Sequence, residues 1–177
     1  MSHKAKTIVK IGAAGILCVG AITLGVWRFW SGLATGEEGL RIWFYDQSEQ
    51  RLYTVARDTI APHDGVGGVK SDGVRAIVVA GQTECGDPSK QRIAYLETYT
   101  PEVKKLLEGV RAARAQGRAY GQPIPTGESG YFDKNTLVRR PAESTWHDMT
   151  TAQARGIVSE WRAWRGPDGS SLGICMP

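Results

Sequence analysis

Hydrophobic and polar positions follow three distinct patterns along this chain. From Ile8 to Trp30 they do not alternate at all: Ile11 to Trp27 carries no charge and no proline. As a helix that run rises roughly 26 Å, and its flanking residues take it past a bilayer's hydrocarbon core. From Arg41 to Tyr99 short β-forming stretches follow one another: Arg41–Tyr45, Arg51–Val55, Val74–Ala80 and Arg92–Tyr99. Polar and Gly/Pro-rich pieces separate them, which predicts strands joined by turns. Val74–Ala80 is nearly all apolar and is expected to be the central strand.

After Tyr99 the period becomes helical. Thr100, Pro101 and Glu102 suit the N-cap and first turn of a helix, and Val103, Leu106, Leu107 and Val110 form one apolar face. Gly117 is expected to end it. Thr136–Arg140 reads as a short strand stopped by Pro141. A last helix is expected with Thr150 as N-cap and Gln153 three residues on, in capping-box spacing. Its apolar side is Ala154, Ile157, Val158, Trp161 and Trp164, and Gly166-Pro167 closes it. The predicted fold class is α+β: one N-terminal transmembrane helix, then a small antiparallel sheet of four to six strands with two packed helices.

Charge gives this plan a direction. Lys4, Lys6 and Lys10 precede the apolar run, whereas Arg28 alone follows closely. The positive-inside bias places the N-terminus in the cytoplasm and the rest outside. The expected division is residues 1–7 as cytoplasmic tail, 8–30 as transmembrane helix, 31–39 as linker and 40–177 as extracytoplasmic domain. Lys10, Trp27, Arg28 and Trp30 are the expected membrane-interface residues. Bulky Trp27 to Trp30 separate the apolar run from the small residues Gly32-Leu33-Ala34, so the helix is expected to stay attached rather than be cleaved as a leader. Ala14, Cys18, Ala21 and Gly25 share one helix face, whose small side chains let a second membrane helix approach.

The net charge of +4 does not indicate nucleic-acid binding. Four of the 22 basic residues, Lys4, Lys6, Lys10 and Arg28, flank the apolar segment, which leaves 18 against 18 acidic residues in the remainder. The excess encodes topology, and nucleic acid is not an expected partner. Cys85 and Cys175 both fall in the outer part and are expected to form a disulfide, while Cys18 lies in the span.

Candidate chemistry is sparse. Gly65 to Ser71 approaches a phosphate loop, but Val69 stands where that loop needs glycine before the lysine. Gly127 to Tyr131 approaches a nucleophile elbow, but Tyr131 replaces the glycine required two positions after Ser129. The pairs His63-Asp64 and His147-Asp148 would make a metal-dependent hydrolase site only if the fold brought them together. No metal or other cofactor is otherwise expected. Arg111, Arg114 and Arg118 read as a solvated basic face near a helix C-terminus.

The segments IWFYDQSEQRLYTV, RIAYLETYTPEVKKLL, LVRRP, TW, PDG and the closing CMP, set after a lysine-flanked single span, resemble a group of uncharacterised single-span bacterial envelope proteins. The resemblance implies a bacterial envelope protein and supplies no functional residues; with the topology above, the expected location is the bacterial inner membrane. The expected function is a membrane-anchored extracytoplasmic structural or interaction protein, an accessory subunit of a larger membrane complex. Its expected partners are membrane lipid and other membrane proteins. Two alternatives stand beside it: the envelope hydrolase above, and a pilin-like filament subunit cleaved before Ile11 or Ala13. Type IV pilins resemble this chain in their short basic leader but carry an early glutamate that the span lacks.

Overall fold

A computed structural model describes residues 40–122, 125 and 130–177. The expected tail, transmembrane helix and linker, with Lys10, Ala14, Cys18, Ala21, Gly25, Trp27, Arg28 and Trp30, lie outside the described residues. Among the described residues no helix is long and apolar enough to cross a membrane.

The described residues form an α+β unit, Arg41–Pro177, around an antiparallel sheet. Its strands are β1 (Arg41–Asp46), β2 (Arg51–Ala56), β3 (Gly73–Ala80), β4 (Arg92–Tyr99), β5 (Thr136–Arg139), β6 (His147–Asp148) and β7 (Gly173–Ile174). The order is β2-β1-β3-β4-β5-β6, with β7 on β3. The strand count exceeds the expected four to six because β6 and β7 are two residues each, too short for any alternation to show. The β1–β2 hairpin is in the expected place, with Asp46 opposite Arg51.

Central β3 is buried at every position except Arg75. Val74, Ala76, Val78 and Ala80 join Leu96 on one face, whereas Ile77 and Val79 join Ala94 on the other. One edge of β3 bonds β4, with a register shift between Ile77 and Val78. Its other edge is shared: β1 meets it from Phe44 to Asp46, and β7 takes over at Val79 and Ala80. Cys175 continues that contact, its N–H donating to Val78 O at 2.8 Å. The Cys85 and Cys175 sulfurs are 2.02 Å apart, with Cα atoms 5.3 Å apart, so the expected pair is present.

Helix α1 (Pro101–Ala115) starts after Thr100 as expected, but the Thr100 hydroxyl does not cap it. It bonds Asn135 Oδ1 at 3.1 Å and so ties α1 to the segment leading into β5. A four-residue helix, α2 (Tyr131–Lys134), was not expected, since one turn carries no amphipathic period. Helix α3 (Ala152–Glu160) starts one residue later than expected: Thr151, not Thr150, caps it by accepting from Ala154 N–H at 3.1 Å. Thr150 instead serves Asp148, whose Oδ1 accepts from the Thr150 hydroxyl and N–H, so the expected box with Gln153 does not form. Two adjacent threonines each had the chemistry for the cap. A 3₁₀ turn, Trp161–Ala163, extends α3. Trp161 and Trp164 pack on Ile77, Val79 and Ala94 as expected, with the Arg92 guanidinium 4.1 Å above the Trp164 ring.

Candidate functional site: two clefts and a buried carboxylate

The two His-Asp pairs serve local structure. His63 is exposed. Its backbone exchanges hydrogen bonds with Gly73 at 2.8 and 2.7 Å, and its ring meets Phe44 edge-on at 6.3 Å. Asp64 Oδ1 accepts from Ser71 N–H at 3.1 Å. On β6, His147 Nε2 lies 3.8 Å from Glu143 Oε2, while Asp148 closes the turn to Thr150. The Thr150 hydroxyl, then its N–H, hold the Asp148 carboxyl below the usual range. Among the described residues no three His, Cys, Asp or Glu side chains are grouped to hold a metal ion. The four residues are not brought together as a site.

The glycine-rich loop that approaches a phosphate motif does bind an anion, but an internal one. Asp46, at the end of β1, is fully buried. Its carboxylate accepts from Glu49 N–H (2.9 Å), the Ser48 hydroxyl (3.0 Å), Val66 N–H and Gly67 N–H (3.3 Å). Two of these donors close the β1–β2 turn and two come from the loop, so one carboxylate pins both. The Glu49 N–H is the largest influence holding its pKa well below the carboxylate range, against the opposing effect of burial. A Cβ on Gly65 would sit 2.5 Å from Asp46 Oδ2, so glycine is needed for this approach. Successive N–H groups of a glycine-rich loop make an anion nest, and here Asp46 fills it.

On the N-terminal side of Phe44, β1 is not paired with β3, and a cleft of about 560 Å³ opens there. Ile42, Phe44 and Leu107 form apolar wall, and Arg75, Glu97 and Tyr99 form the polar part. Arg75 and Glu97 are register neighbours across β3 and β4, with Nη1 and Oε1 3.5 Å apart. Burial raises the Glu97 pKa and Arg75 opposes it. Burial likewise raises the Tyr95 and Tyr99 phenols. The Arg75 guanidinium can donate, and the Glu97 carboxylate accept, hydrogen bonds with a ligand, and the apolar wall suits the body of the same ligand.

A second, wider cleft of about 660 Å³ lies between the β1–β2 turn and the segment after β5. Tyr45, Gln47, Gln50, Arg139, Glu143 and Ser144 are among its lining residues. Arg139 is buried, and burial lowers its pKa. Neighbouring Arg140 is richly paired instead: its Nη1 is 2.6 Å from Glu143 Oε1 and its Nη2 2.6 Å from Glu160 Oε2. Those ion pairs join β5 to the end of α3 and raise the Arg140 pKa, Glu160 first.

Sequence reasoning missed Arg75, Glu97 and Arg139 as site residues. Each had a signal: a charge set among the apolar and β-forming residues of a strand, where an unpartnered charge is costly to bury. Nothing matches this chain among protein-family models, curated proteins or solved structures.

Proposed function

We propose that the chain is a membrane-anchored extracytoplasmic interaction protein, an accessory subunit of a larger complex in a bacterial inner membrane, with its N-terminus cytoplasmic. The observation that carries this reading is the Cys85–Cys175 pair, joined across 90 residues of the domain that follows a 17-residue uncharged apolar run. Stable disulfides belong to oxidising compartments, and the apolar run supplies the means of being held at a membrane facing one. Lys4, Lys6 and Lys10 give the same direction. The two clefts, part polar and part apolar and open to solvent, suit recognition of a partner.

The small-residue face is the proposed route to that partner within the bilayer. In the full chain purified in mild detergent, Ala14→Leu, Ala21→Leu and Gly25→Leu should each reduce co-purification of a membrane partner, because bulk separates packed helices. Leu17→Ala, on another face, should leave it unchanged. Equal behaviour of all four variants would reduce the stripe to composition and remove the partner helix from the proposal.

A further inference from the structure

Adjacent arginines on one strand end are treated in opposite ways. Arg140 takes the carboxylates of both Glu143 and Glu160. Arg139, only 7% exposed, reaches neutral acceptors alone among the described residues. Its Nη1 donates to the backbone oxygens of Pro141 (3.3 Å) and Glu143, and its Nη2 donates to Gln47 Oε1 at 2.7 Å. The Trp146 ring lies 4.9 Å below the guanidinium carbon. Arg139 Nε is buried with no hydrogen-bond partner. A guanidinium has five N–H donors, so the Nε–H and one Nη2–H remain unused.

Burying a charge without a counter-charge is costly, and so is burying a donor without an acceptor. Among the described residues this guanidinium hydrogen-bonds no carboxylate and leaves its Nε–H unpaired, and it lines the cleft of about 660 Å³. We propose that this cleft is a binding site for a carboxylate group, which pairs with Arg139 while Gln50 and Ser144 offer neutral hydrogen bonds at its lining. The Nε–H and the adjacent Nη2–H of a guanidinium run parallel along one edge and match the two oxygens of a planar carboxylate. The ligand takes Nη2 in exchange for the Gln47 amide oxygen and completes the pair at Nε. Phosphate fits less well: it carries more charge than one guanidinium offsets, and the Glu143 carboxylate lines the same cleft. The carboxylate can belong to a small free molecule or to an acidic side chain of a protein partner. This inference concerns the described domain and does not depend on how the chain is anchored.

The test follows the arginine Nε–H signals of the full chain, ¹⁵N-labelled and held in mild detergent. The probes are N-acetylglycine, a blocked tripeptide with a central glutamate, uncharged N-acetylglycinamide and inorganic phosphate. Both carboxylate probes should shift the Arg139 signal saturably, more strongly than phosphate, and N-acetylglycinamide should not. Tighter binding of the tripeptide assigns the site to an acidic side chain, and tighter binding of N-acetylglycine to a free small carboxylate. Gln47→Glu places a carboxylate against Arg139 from within the chain. It should weaken both carboxylate probes by about tenfold or more, the scale of one lost hydrogen bond to a charged group. Because Arg139 stays in place, this variant tests the site without removing the arginine itself. No saturable shift with either carboxylate, an equal response to N-acetylglycinamide or phosphate, or undiminished binding in Gln47→Glu would overturn the proposal.

Discussion

Replacing both Cys85 and Cys175 by alanine should cost the domain a large part of its stability. The bond closes a loop with a sequence separation of 90. Chain entropy for that length corresponds to about 4.6 kcal/mol at 25 °C, and the realised effect is commonly nearer 2–4 kcal/mol. What the bond holds is otherwise slight. β7 contributes two residues to the edge of β3, followed by the Cys175 N–H bond to Val78 O. Cys175 is 2% exposed and packs in the cluster of Val78, Ala80 and Leu96, so truncation also removes some burial. For a domain of this size the loss corresponds to a fall in Tm of roughly 10 °C. Thermal unfolding should be recorded for the parent chain, for the parent chain under reductant, and for the double variant. The reduced parent should lose most of what the variant loses, which separates the cross-link from the packing. Amide exchange at Ile174 and Cys175 should accelerate in both. A Tm within about 2 °C of the oxidised parent would refute the reasoning, because a cross-link on so long a loop is expected to weigh heavily.

Two further perturbations test the sheet's polar end. Asp46→Asn should destabilise the domain at neutral pH, and the gap from the parent should narrow in acid. The folded pKa of Asp46 is depressed, so its contribution is fully present above the unfolded value of about 3.9 and is lost as pH falls through the folded value; denaturant unfolding between neutral and acid pH measures this, and a pH-independent gap would remove Asp46 as the cause. Gly73→Ala should cost about 1–3 kcal/mol by overpacking, since its Cβ would lie 2.0 Å from the Tyr53 hydroxyl and 3.1 Å from His63 O. Because that hydroxyl is buried without a partner, Tyr53→Phe should recover part of the loss in the double variant, and equal stability of Gly73→Ala with and without Tyr53→Phe would place the clash elsewhere.

The elements that the sequence made legible are those whose side chains report their surroundings over several residues. β1 to β4 alternate or run apolar long enough to reveal a face, and Val103 and Ile157 lie buried on the predicted helix stripes. What escaped was decided across space. β6 and β7 exist because β5 and β3 offer unpaired edges, and their own two residues say nothing of it. The cap of α3 went to Thr151 because Asp148 engages Thr150. The glycine-rich loop falls short of a phosphate motif in sequence, and only the fold shows that its Val66 and Gly67 N–H groups face the Asp46 carboxylate. The cysteine pairing was readable because two cysteines leave one partner each within the described domain. The clefts were not, since Arg75 and Glu97 meet through register, and Arg139 meets Gln47 across 92 positions of chain.

The extracytoplasmic placement of the domain is the point on which its proposed role rests most. A reporter active only outside the cytoplasm, fused after Pro177 of the full chain, tests this directly. The proposal requires the fusion to be active, and replacement of Lys4, Lys6 and Lys10 by neutral residues to reduce that activity. An inactive wild-type fusion, with a cytoplasm-active reporter at the same point active instead, would contradict the extracytoplasmic placement and the anchored interaction role built on it.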